Sequence, residues 1–91
     1  MHKICKLIEQ VELEFETAED YIACVSKTSD SIKSIYKELA DDELDHVEKL
    51  LEVGDKQDFT KESKEADIWE FEKLRILKKH SKLIAELTSI K

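Results

Sequence analysis

The string Glu43-Leu44-Asp45-His46 joins a carboxylate and an imidazole at the one spacing where a helix stacks them on a single face, so both can grip one cation. It interrupts an apolar stripe that runs Ile32, Ile35 or Tyr36, Leu39, Glu43, His46, Leu50 and Val53. Charged groups at such positions need compensation, and a bound metal ion supplies it. A second stripe, read in heptads, goes Leu7, Glu14, Tyr21, which predicts that Glu14 also faces inward. Glu14 lies about fifteen residues before the polar cluster near residue 29 and Glu43 about fourteen after it. An antiparallel hairpin therefore sets the two carboxylates side by side, with His46 beside them.

Two carboxylates and an imidazole are hard and borderline donors, suited to iron first and to manganese as well, and they lack the thiolates that favour structural zinc. Glu14, Glu43 and His46 are thus both the candidate metal ligands and the candidate catalytic residues. Two plainer arrangements use the same residues. His46 can hydrogen-bond Glu14 across the hairpin without metal. Glu14 can instead reach water at the edge of its stripe, where Glu12 and Glu16 already mark a solvated face. Elsewhere, His2 and His80 lack carboxylates at ligand spacing, Tyr21 reads as an amphipathic core residue, and Cys5, Cys24, Trp69 and Phe71 read as packing residues.

Three helices must position these groups. Apolar residues at Ile4, Leu7, Ile8, Val11, Phe15, Ala18, Tyr21, Ile22 and Val25 predict a first helix from about Lys3 to Lys27. Thr28, Ser29, Asp30 and Ser31 can cap a new helix with side-chain oxygens, making a short turn. The second helix carries Ile32, Ile35, Tyr36, Leu39, Val47, Leu50 and Val53, and is expected to stop where Gly54 can turn left-handed. A polar stretch from Asp55 to Lys61, with Phe59 its one apolar residue, leads to a long third helix within residues 61–91. Its apolar residues, from Ile68 to Ile90, spread over more than one stripe, as contact with two neighbouring surfaces requires.

The whole chain reads as all-α and as one domain: a metal-binding hairpin over 1–54 and a third helix over 61–91. With 91 residues, no proline and one glycine, it has little turn punctuation and too small a core to stand easily without a metal or a partner. Its net charge of −7 disfavours nucleic acid and anionic membrane as partners. Cys5 and Cys24, about 28 Å apart along one helix, cannot pair within it. No stretch is long enough to span a bilayer and no secretory leader is evident, so the expected setting is the cytoplasm.

A Glu on one helix and a Glu-x-x-His on the next resembles half of the site in ferritin-like di-iron carboxylate proteins. Such a site needs two lone Glu residues and two Glu-x-x-His pairs. This chain has a single pair, since Glu70, Glu72 and His80 are wrongly spaced. That arithmetic, the helix order and the chain length are similar to the encapsulated ferritins, whose short hairpin subunits pair into a four-helix bundle with the di-iron centre between them. The resemblance covers roughly the first fifty-five residues and includes Tyr21 seven after Glu14, Thr28-Ser29-Asp30, and Asp42-Glu43-Leu44-Asp45-His46. Asp20 stands where the family often has tryptophan, and Leu87-Thr88-Ser89-Ile90-Lys91 contains no recognisable capsid-targeting tail.

The resemblance implies a homodimer or higher homo-oligomer, with an encapsulin shell as a further partner. It implies Glu43 as bridging carboxylate, Glu14 and His46 as terminal ligands, and Tyr21 nearby. The implied activity is oxidation of ferrous iron by oxygen for iron storage or detoxification, with peroxide reduction, as in rubrerythrin-like relatives, ranked below it. A different class of reading is a metal-free helical adaptor, in which the polar stripe residues set the hairpin register.

Overall fold

Without proline to interrupt it, a chain with these periodicities runs in long helices, and the computed structural model, which describes residues 2–57 and 63–90, contains three: α1 (His2–Val25), α2 (Asp30–Lys56) and α3 (Ser63–Ser89). The described residues contain no strand. They form a rod with principal extents of 52 × 18 × 16 Å. Phe59 and the rest of the stretch joining α2 to α3 lie outside the described residues.

The chain reverses between Val25 and Asp30. Lys27 N–H donates to the Cys24 carbonyl at 3.0 Å, and the Ser29 carbonyl accepts from the Ile32 and Lys33 N–H groups at 3.0 and 2.9 Å. Ser29 holds the N-cap position in extended conformation, but its hydroxyl caps no amide and lies 3.2 Å from the Ser31 hydroxyl. The expected side-chain cap is therefore not made there. Asp30, in the first turn of α2, puts a negative charge near the free amides.

Gly54 corrects a second expectation. α2 continues past it to Lys56, and Gly54 has no positive φ. Its lack of a side chain serves a contact instead: a Cβ at this position would overlap the Trp69 indole at Cζ2, Cη2 and Cε2. Next to it, Asp55 accepts from Trp69 Nε1 at 3.1 Å and from Lys73 Nζ at 2.8 and 3.0 Å. The segment read as linker thus begins as the last turn of α2, and it is where α3 docks.

The core contains Ile4, Leu7, Val11, Phe15 and Ala18 of α1, Ala40, Leu44, Val47 and Leu51 of α2, and Trp69, Ile76, Leu83 and Leu87 of α3. For α2 this differs from the expected stripe. Val47 is buried, Tyr36, Leu39 and Leu50 are half-buried, and Ile32, Ile35 and Val53 are exposed. The helix carries two apolar stripes about 100° apart, and the one containing small residues, Ala40 and Gly54, faces inward because it lets the other helices come close.

Polar clasps fix α3 against both hairpin helices. Arg75 reaches Glu12 of α1 at 2.7 Å, Lys79 reaches Glu19 of α1 at 3.1 Å, and Lys79 Nζ also lies 5.1 Å from the Phe15 ring centre. On the α2 side, His80 Nε2 lies 3.0 Å from the Leu44 carbonyl and 3.8 Å from Glu48, while Lys37 Nζ donates to the Ile90 carbonyl at 2.9 Å. Along α1 the contacts rise with α3 numbering and along α2 they fall, so α3 runs parallel to α1 and antiparallel to α2.

Candidate metal centre

A helix turns 100° per residue, so the residues of α2 that meet α3 (Leu44, Glu48 and Asp55) lie on nearly the opposite flank from Glu43, His46, Leu50 and Val53. The same holds on α1, where Glu12 and Glu19 face α3 and Glu14 points away. The site therefore sits on the hairpin's outer flank and not in the core. Glu14 keeps 18% and Glu43 20% of its side-chain surface exposed, and His46 keeps 52%. This replaces the inward placement expected for Glu14. The register count succeeds: Glu14, Glu43 and His46 stand at one level, each offering a ligand atom, and these atoms all lie within 4.8 Å of one another.

His46 Nδ1 is 3.3 Å from Glu14 Oε2 and 3.7 Å from Glu43 Oε2. The first contact is the cross-hairpin hydrogen bond that the sequence also allows. The proximity of Glu14, which shares a hydrogen bond with Glu43, holds the Glu43 carboxyl above its ordinary value of 4.5. Partial burial adds to the rise and His46 opposes it. Two crowded carboxylates with an imidazole beside them are a group that a cation would relax. Donor atoms on a first-row ion, bound near 2.1 Å, stand roughly 3 Å apart, so a small contraction would seat one ion among these three. Three donors leave such an ion with open positions.

Apolar side chains surround the polar group. Toward the hairpin turn, Tyr21 and Tyr36, one heptad from Glu14 and Glu43 respectively, bring their ring centres to 6.0 Å. Beyond them Ile32 and Ile35 are 46% and 54% exposed. In the other direction Leu7, Gln10, Leu50 and Val53 help line an open groove of about 400 Å³.

Several other residues differ from their sequence reading. Phe71, expected to pack with Trp69, is 69% exposed, whereas Trp69 is buried. Cys5 is exposed and Cys24 half-buried, both as free thiols, so neither is a buried hydrophobe. His80 has a carboxylate neighbour, Glu48, on a different helix, where sequence spacing gives no signal. The side chain of His2 lies outside the described residues.

Fold and site together define a three-helix unit with a carboxylate–histidine cluster on its hairpin. The chain matches no protein-family model, no curated protein and no solved structure. Among the described residues, no helix is long and apolar enough to cross a membrane.

Proposed function

We propose that this protein binds ferrous iron at Glu14, Glu43 and His46 and oxidises it with dioxygen, two copies pairing through their hairpins so that a di-iron centre forms between them in a ferritin-like four-helix bundle. The observation that carries this reading is the convergence of exactly one half of such a donor set on an outer flank whose neighbours Ile32, Ile35 and Val53 are left exposed. A second hairpin against that flank would cover the apolar residues and add the missing donors. Iron is here the substrate, each ferrous ion giving one electron to oxygen. The protein's part is to hold ligand geometry: by the ferritin-like resemblance Glu43 would bridge the two ions, and Glu14 and His46 would be terminal ligands.

The hydrogen bond between His46 and Glu14 favours a second reading, a metal-free module in which that pair only fixes hairpin register. The two separate on anaerobic ferrous titration of metal-free protein, followed by sedimentation and oxygen exposure. The first reading expects one iron per chain, an iron-dependent rise in association state through the hairpin flank, and rapid oxidation, all lost in Glu43→Ala/His46→Ala. Equal uptake by parent and double variant, or none by either, would leave the metal-free module.

A further inference from the structure

α3 bears an outer face that the hairpin does not use. Phe71 and Leu74, 69% and 68% exposed, point away from the hairpin, Ile68 and Leu77, 40% and 41% exposed, lie on the two opposite edges of that face, and the four are half of the exposed large apolar residues among those described. The charges around them are sorted along the helix. Between residues 64 and 72 there is one lysine against Glu65, Asp67, Glu70 and Glu72. From residue 73 onward there are six basic residues against Glu86. Lys73, Arg75 and Lys79 are taken up by the clasps to Asp55, Glu12 and Glu19. Asp67, Glu70, Lys78 and Lys82 are exposed and stand outside those clasps.

We infer that this face pairs with the same face of a second copy, the two α3 helices running antiparallel about a two-fold axis at Leu74. A helix acidic at one end and basic at the other is complementary to its own reverse, and an isologous contact needs that property. The register follows from residue numbers. With Leu74 meeting its symmetry mate, Glu70 comes level with Lys78 of the other copy, Phe71 with Leu77, and Asp67 with Ser81, one residue from Lys82. Parallel pairing would instead set Lys78 beside Lys78 and Glu70 beside Glu70, which like-charge repulsion opposes. The contact lies on the far side of the molecule from Glu14, Glu43 and His46, and it requires no metal.

Two helices touching over a few turns form a contact at the small end of specific interfaces, so the association is concentration-dependent and weakens with salt. The test is sedimentation equilibrium in chelator at low ionic strength, on the 91-residue chain carrying Ile35→Glu to block the hairpin flank. That variant is expected to dimerise. Adding Leu74→Glu, which puts two like charges at the axis, should give monomer with helicity unchanged by circular dichroism. Adding Lys78→Glu alone should weaken the dimer at least tenfold, and adding Glu70→Lys to that variant should restore it, because both symmetry-related pairs are then reversed. A monomeric Ile35→Glu protein at its highest soluble concentration overturns the inference. So does a dimer indifferent to Leu74→Glu, or a charge swap that restores nothing.

Discussion

Glu43 carries opposite demands for folding and for ligand binding. Its pKa is raised in the fold, so the folded chain holds the proton more tightly than the unfolded chain does. The resulting penalty is absent below about pH 4.5 and grows as pH rises through the folded value. Metal-free Glu43→Gln should therefore melt at a higher temperature than the parent at pH 7. The two melting curves should converge near pH 4. A Gln variant no more stable than the parent at pH 7 would mean that the crowding of Glu14 and Glu43 costs nothing. Asp55 has the opposite sign. The Lys73 hydrogen bond first, and then that of Trp69, lower its pKa, so its contribution is present above the unfolded value of about 3.8 and is lost as acid protonates it. Acid should thus loosen α3 from the hairpin while relieving the strain between the two glutamates.

The three helices were legible in the sequence because hydrophobic period and missing breakers both act locally, and α1 and α3 end within a few residues of their expected bounds. Which stripe of α2 would face the core was not legible. Ile32, Ile35, Leu39, Leu50 and Val53 form the more apolar stripe, yet Ala40, Leu44, Val47 and Leu51 are the residues inside. Closeness of approach decided the matter, and it depends on α3, which contacts the chain from far along the sequence. The site fared better, because its level is set by counting from a turn, though its exposure followed the misassigned stripe. Gly54 was misread for a related reason, its partner being Trp69, fifteen residues on. Helix propensity alone makes Gly54→Ala stabilising by about 1 kcal/mol. Overlap with the indole opposes this by about 1–3 kcal/mol. The net outcome expected from urea denaturation is loss of stability, with Trp69 fluorescence shifting to the red as the ring is pushed toward water. A stabilised variant would show that the ring can move aside freely.

Because α3 brings its basic residues against the rear of the hairpin, the molecule as a whole is electrically lopsided. Residues 1–57 hold seven lysines against fifteen aspartates and glutamates. Arg75, Lys79 and Lys73 offset Glu12, Glu19 and Asp55 on the α3 side, which leaves Glu14, Glu43 and their acidic neighbours on the other flank without basic clasps from α3. The hairpin flank therefore carries the denser negative field and draws divalent cations more strongly than the back of α3, where Asp67 and Glu70 stand with Lys78 and Lys82. Stopped-flow uptake of a divalent cation should slow as monovalent salt rises, with dissociation little changed. Reversing Lys78 and Lys82 to glutamate should leave uptake at the hairpin nearly as fast while removing the preference for that side. The arrangement that anchors the third helix thus also gives the protein a front and a back for charged solutes, without any residue added for that purpose.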